Sequence, residues 1–188
     1  MEEMNIAIVD FISTWSKRIG VCVEEAGASH RFFAADVKAK ELEDYDGIIF
    51  TGSLDTCYDG GKLPDPAIFE LGKPMLGICY GHQVINMMLG GEVKRANVPE
   101  HGSIACRMKD SPLFLGMGTS TFVRMSHNDE VVLPGKGLEV IAETDDCKIA
   151  SCQDLQRKIF TVQFHPEAPE GNDDGLSIFR NFLRIVGD

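Results

Sequence analysis

Two short stretches of the sequence hold side chains suited to acyl transfer. In Gly77-Ile78-Cys79-Tyr80-Gly81 a cysteine stands two positions from a glycine on either side, the pattern of a nucleophile on a sharp strand-to-helix turn. Such a turn pushes the central side chain outward and leaves no room for side chains at the flanking positions, which is why glycine suits them. The helix that follows would aim its first N–H groups and the positive end of its dipole at the sulfur, favouring thiolate over thiol. In Val162-Gln163-Phe164-His165-Pro166-Glu167 an apolar run leads into a histidine, a proline with locked φ and an acid. Extended geometry would put His165 and Glu167 on one side, so that the carboxylate holds one imidazole nitrogen while the other serves a thiol as general base.

Each stretch also has a plainer reading. A lone cysteine at a strand end is most often packing, and His-Pro-Glu by itself is an ordinary surface turn. Together they complete a set of nucleophile (Cys79), base (His165) and orienter (Glu167), and no other pairing of cysteine and histidine in the sequence does so. Cys22, Cys106 and Cys152 fall in helix-like or strand-like runs and read as core. His30, His82 and His101 read as solvated or hydrogen-bonded, and Met87-Met88 as the buried side of a helix. The six cysteines, at 22, 57, 79, 106, 147 and 152, have no metal-ligand spacing, so neither a metal nor a disulfide framework is expected.

These side chains need a scaffold, and the apolar pattern supplies one. Ile6 to Val9 reads as a strand followed by a helix over Trp15 to Glu25; Gly47 to Thr51 and Pro74 to Ile78 read as buried strands, the second followed by a helical segment from Gln83 to Leu89. Alternating strand and helix predicts a parallel, doubly wound α/β sheet with flanking helices. After Gly90-Gly91 come shorter runs, Ile104 to Met108, Phe122 to Met125, Leu138 to Ala142 and Lys148 to Cys152, expected as a small antiparallel patch. Ile159 to Phe164 is a last core strand. Leu176, Phe179, Phe182, Leu183 and Val186 share one face of a closing amphipathic helix. Asp59 to Pro66 is loop, and Glu170 to Asp174 is expected as a mobile cap before the last helix. Without repeats or a long linker, residues 1–188 read as a single domain. Both chemical stretches then lie at the C-terminal ends of core strands, where open α/β sheets place their sites.

A net charge of −11 leaves no basic stripe for phosphates, which argues against nucleic acid as a partner. No apolar run approaches the ~20 residues that cross a bilayer, and the opening Met1-Glu2-Glu3-Met4-Asn5 lacks a basic leader, so no membrane and a cytoplasmic location are expected. No Gly-rich phosphate loop with its lysine is present, and no cofactor is expected.

With Gly77-Ile-Cys-Tyr-Gly-His-Gln83 and Gln163-Phe-His-Pro-Glu167 both complete, the sequence resembles the class I glutamine amidotransferases. The similarity runs through Ile48-Ile-Phe-Thr-Gly52 and Met125-Ser-His-Asn-Asp-Glu-Val131 to the C-terminal helix, nearly the whole chain. The Ser126-His127-Asn128-Asp129 segment most resembles the glutaminase subunit of GMP synthases. The resemblance implies the doubly wound glutaminase fold, with Cys79 attacking the side-chain amide of L-glutamine to form a thioester. It implies an oxyanion hole of backbone N–H groups from Tyr80 and the Gly52-Ser53 loop, with Gln83 and the Ser126-His127-Asn128 segment binding the substrate. It also implies a separate ATP-pyrophosphatase synthetase as partner, most simply one that aminates xanthosine monophosphate.

The sequence departs from that family at three places. Its oxyanion loop reads Thr51-Gly52-Ser53-Leu54 where the synthase branch usually has Ser-Gly-Gly-Pro, which predicts a loop whose geometry depends on a partner or substrate and low activity alone. Asp10-Phe11-Ile12-Ser13-Thr14-Trp15 replaces Asp-x-Gly-x-Gln-Tyr, and His101 replaces a tyrosine beside Glu100. The competing functions are a free-standing hydrolase of γ-glutamyl compounds and a non-catalytic regulator that binds partners. The intact Cys79, His165 and Glu167 count against the regulator.

Overall fold

A computed structural model of the chain describes residues 3–188. Strands β1 (Asn5–Asp10), β2 (Ser29–Ala34), β3 (Gly47–Phe50), β4 (Met75–Ile78), β5 (Glu92–Met108), β6 (Ser120–Leu133), β7 (Glu139–Glu143), β8 (Ser151–Asp154) and β9 (Ile159–Val162) form one continuous sheet, in the order β2-β1-β3-β4-β9-β8-β7-β5-β6. Every pair from β2 to β9 in that order is parallel, and every pair from β9 to β6 is antiparallel. The parallel half explains the buried apolar runs. Ile6 and Ile8 face one side and Ala7 and Val9 the other, all without exposure, because both faces of the sheet are covered.

Helices α1 (Ser16–Glu25) and α3 (Gly175–Gly187) cover the first face, where Ile19, Val23, Ile178, Phe179 and Phe182 pack against Ile6, Ile8, Ile78 and Phe160. Helix α2 (Tyr80–Met88) covers the second, with Val84 and Ile85 against Phe50 and Met75. The doubly wound α/β expectation matches this arrangement. Helix α2 begins at Tyr80 rather than Gln83, because the turn itself feeds directly into the helix and Tyr80-Gly81-His82 carry no apolar period. Helix α3 follows its expected face, and the Asp174 side chain caps it by accepting from the Ser177 N–H at 3.3 Å.

Two of the antiparallel segments are longer than their apolar cores suggest, while β7 and β8 are displaced by one to three residues from the expected runs. β5 and β6 run for 17 and 14 residues as a paired arm. A register shift between Arg95 and Glu100 accommodates Pro99, which cannot donate to the ladder. β2 has no matching apolar signal because it is an edge strand with no fully buried residue.

Candidate active site

β3, β4 and β9 lie side by side and parallel, so their C-terminal ends bring Thr51-Gly52, Cys79 and His165 to one edge of the sheet. Cys79 adopts φ 53° and ψ −101°, a left-sided backbone that an L residue takes only under constraint. The constraint comes from both sides. The Cys79 N–H donates to Val162 O at 2.8 Å, and the Gly81 N–H donates to Thr51 O at 3.2 Å. The glycine requirement is steric, as the spacing suggested. A Cβ on Gly77 would stand 2.6 Å from Gly81 O, and one on Gly81 would stand 2.5 Å from Phe50 O.

His165 Nδ1 lies 2.7 Å from Glu167 Oε1, and both side chains are buried. The two meet in a turn and not along an extended strand. β9 ends at Val162, and the Ala168 N–H donates back to His165 O at 3.2 Å with Pro166 at the second position. The turn is pinned to β6 by the His165 N–H, which donates to Arg124 O at 2.8 Å. Asn172 completes the brace, its Nδ2 donating to His165 O and Ala168 O and its Oδ1 accepting from the Arg124 N–H. The segment expected as a mobile cap is therefore tied down, with Asp173 also bonded to Phe122 through backbone and carboxylate. Trp15 stacks edge-on against the His165 ring at 4.9 Å and carries the Arg124 guanidinium on its face.

Burial opposes a charge on His165, but the charges of Cys79 and Glu167 and the hydrogen bond to Glu167 outweigh it and hold the ring well above the ordinary histidine value. With Nδ1 bound to Glu167, Nε2 is left for the sulfur. Glu167 Oε2 is buried without a partner, so the carboxylate's only hydrogen bond among the described residues goes to the imidazole. The other five cysteines are ordinary thiols: burial pushes Cys22 and Cys57 up to about 11, Cys106 and Cys152 up to about 12, and Cys147 higher still. All six are free and buried.

Cys79 opens into a cavity of ≈ 310 Å³, lined among others by Ser53, Tyr80, Gln83, Arg95, Asn128 and Asp129. Every residue expected to form the oxyanion hole or bind substrate lies at or beside this cavity. The N–H groups of Tyr80 and Ser53 make no hydrogen bond among the described residues. A side chain at Gly52 would crowd the base, because a Cβ there would lie 3.0 Å from His165 Cε1. The loop left open to a partner or substrate has internal anchors. The Thr51 hydroxyl accepts from the Phe11 N–H and donates to Gly52 O, both at 2.9 Å. Farther along, the Tyr58 hydroxyl reaches Asp129 Oδ1 at 2.9 Å and the Tyr80 hydroxyl reaches Lys62 O at 2.5 Å. Asn128 sits at the rim, its Oδ1 3.1 Å from His101 Nε2.

The His127 ring turns away from the cavity. Nδ1 bonds Asp129 O at 2.8 Å and Nε2 bonds Glu100 Oε1 at 2.9 Å, so His127 can face a substrate only through its backbone. Glu100, His127 and Cys147 come within 4.8 Å of one another although nothing in their spacing joins them. The carboxylate and imidazole are committed to each other and to neighbours, since Glu100 Oε2 also takes the Thr144 hydroxyl at 2.7 Å. His82, in the first turn of α2, is held by Thr161 at 2.7 Å and Ile149 O at 3.0 Å, and burial lowers it to about 3.

The family model described as glutamine amidotransferase class-I matches residues 7–185. Glutamine-hydrolyzing GMP synthases of Staphylococcus epidermidis and Staphylococcus aureus are 36% identical over 98% and 100% of the chain. The chain spans a little over a third of these relatives' length, 36% and 37%. Among solved structures, a protein from Thermoplasma acidophilum described as a candidate subunit of GMP synthase superposes with a TM-score of 0.87 at 26% identity, covering 100% of this chain and 96% of that one. A glutamine amidotransferase from Thermotoga maritima shares the fold, with a TM-score of 0.83 at 18% identity, covering 100% of both chains. Among the described residues no helix is long and apolar enough to cross a membrane.

Proposed function

The chain belongs to the class I glutamine amidotransferase family, a family of glutamine-hydrolysing enzymes, and from that premise we propose that Cys79 hydrolyses L-glutamine through a thioester and that the ammonia passes to an ATP-using synthetase. The observation that carries this reading is the His165–Glu167 contact at 2.7 Å beside a strained Cys79 at the mouth of a cavity of amino-acid size.

The Cys79 thiolate attacks the side-chain amide carbon, forming a C–S bond while the carbonyl π pair moves onto oxygen. The free N–H groups of Tyr80 and Ser53 receive that oxyanion. The protonated His165 gives its Nε2 proton to the departing nitrogen, and ammonia leaves as the carbonyl reforms. His165 then takes a proton from water, which attacks the thioester and releases glutamate and the thiolate. Glu167 keeps Nδ1 protonated and the ring aimed throughout. Gln83, with Oε1 free to accept, and the backbone of Ser126, His127 and Asn128 hold the amino-acid end.

The GMP synthase names of the relatives support an ATP-pyrophosphatase partner that aminates xanthosine monophosphate. The family match over 7–185 and the unbroken sheet support reading 1–188 as one domain, and six free thiols fit the cytoplasm.

The test is the intact mass of the chain after exposure to an electrophilic glutamine analogue, with peptide mapping and Cys79→Ala as control. One adduct at Cys79, absent from the variant, is expected. No adduct, even in the presence of a GMP-type synthetase, would remove glutamine as the substrate.

A further inference from the structure

The sulfur of Cys79 has a neighbour that the triad does not use. Gln163, fully buried, follows β9 directly and stands two residues before His165. Its backbone is fixed by the N–H, which donates to Ala150 O at 2.8 Å. Its side-chain Nε2 lies 3.5 Å from Cys79 Sγ, and its Oε1 accepts from Gln83 Nε2 at 3.2 Å.

The orientation of both amides follows from one group that can only accept. Asp129 O takes a hydrogen bond from Gln83 at 3.0 Å, so the nitrogen end of Gln83 must face it. The second proton of that nitrogen then points at Gln163, which must present its oxygen there and its nitrogen to the sulfur. Cys79 Sγ is the only acceptor that Gln163 Nε2 finds among the described residues. On another side of the sulfur lies Ser126 O at 3.7 Å, which can accept from a thiol but has nothing to offer a thiolate. The sulfur thus has a carbonyl suited to its protonated form and an N–H suited to its ionised form.

We propose that Gln163 is a catalytic residue whose side-chain amide donates to Cys79 Sγ and stabilises the thiolate, an inference that rests on reading Cys79 as the nucleophile. The bond acts twice. It raises the fraction of sulfur ready to attack, and it receives the thiolate when water cleaves the thioester and the C–S pair returns to sulfur. Gln83 keeps the donor aimed, which couples the wall of the substrate cavity to the nucleophile.

The test is the pH dependence of Cys79 alkylation by iodoacetamide in the full chain, for wild type, Gln163→Met (similar length, no donor) and Gln163→Glu (similar shape, carboxylate against sulfur). The titratable groups around the site are His165 and Glu167 from the turn after β9, Tyr80 from α2, His127 and Asp129 from β6, Arg95 and His101 from β5, and Asp55 from the loop after β3. All are present in every variant, so a difference between variants reports position 163. Alkylation near neutrality is expected to slow about tenfold in Gln163→Met and further in Gln163→Glu, with the midpoint moved to higher pH and the limiting rate at high pH retained. Unmoved midpoints in both folded variants would overturn the proposal.

A second measurement needs no change at 163. In wild type the side-chain amide resonance of Gln163 should follow the sulfur's titration and stay flat in Cys79→Ala; a resonance indifferent to that titration overturns the proposal as well. Labelling of Cys79 by the glutamine analogue in wild type separates the two ideas. Loss of that labelling defeats the nucleophile reading itself, whereas labelling with unmoved midpoints defeats only the role of Gln163.

Discussion

The Thr51 hydroxyl donates to the Gly52 carbonyl oxygen at 2.9 Å, and the C=O and N–H of a trans peptide point in opposite directions, so this one bond fixes the way the Ser53 N–H faces. The hydroxyl has one proton and a second possible acceptor, Asp10 Oδ1, at the longer distance of 3.3 Å. Asp10 Oδ1 already accepts from Ser16 Oγ and the Ile12 N–H, which leaves the proton to Gly52. Thr51 thereby anchors the Gly52-Ser53 peptide from within the chain, in a loop that lacks the proline of the Ser-Gly-Gly-Pro pattern.

Thr51→Val should therefore lower kcat for glutamine by about tenfold to a hundredfold, on the order of losing one oxyanion donor in part, with little change in KM. Thr51→Ser should restore it, because only the hydroxyl is needed. Steady-state kinetics on both variants decide the matter. Equal losses in the two would mean that the methyl and its packing matter, and not the peptide's orientation.

His82 predicts an acid-labile joint. Burial holds its folded value near 3, below the ordinary 6.5 of an unfolded chain, so the stability it contributes is whole above pH 6.5 and is lost as pH falls toward 3. Within that window the slope is about 1.4 kcal/mol per pH unit. Urea unfolding at pH 7 and pH 5 should show wild type losing ~2 kcal/mol more than His82→Gln, which keeps a donor and an acceptor but no titration. Parallel losses would assign the acid response to other groups.

Ile12 is a third target. It holds φ 66° with 68% of its surface exposed, at the position where the synthase branch carries glycine. A left-handed backbone costs a branched residue about 1–2 kcal/mol, while glycine gives back roughly 0.5–1 kcal/mol through a freer unfolded chain. Ile12→Gly is expected to stabilise the fold by about 1 kcal/mol without altering turnover, measured by urea unfolding and glutaminase assay. A destabilised variant would mean that the isoleucine side chain makes up for its backbone.

The chemistry is legible in the sequence because it is local. The glycines at 77 and 81 are required by contacts within a few residues and the adjoining strand, and His165, Pro166 and Glu167 sit within one turn. The shape of that turn departs from the extended expectation, because proline and the Ala168 N–H close it where alternation alone suggests a strand. Asn172, Trp15 and Thr51 carry no signal, since each acts through partners set by the fold and not by spacing. Gln83 and Gln163 meet across 80 residues, which no periodicity encodes. β2 is silent for a related reason, because an edge strand with mixed exposure has no buried face to print a pattern.

β9 is the seam of the sheet, parallel to β4 on one side and antiparallel to β8 on the other. Sulfur and imidazole hang from the parallel side, while Arg95, His101, Asn128 and Asp129 come from the distant β5–β6 arm. Nucleophile and base thus rise from one stretch of the sheet and much of the cavity wall from another, and β6 touches both, through Arg124 at the His165 turn and Asp129 in the wall. Changes to the cavity-facing residues of the arm and of the loop after β3 can reshape what the cavity admits, so long as the hold of Arg124 on the His165 turn is kept.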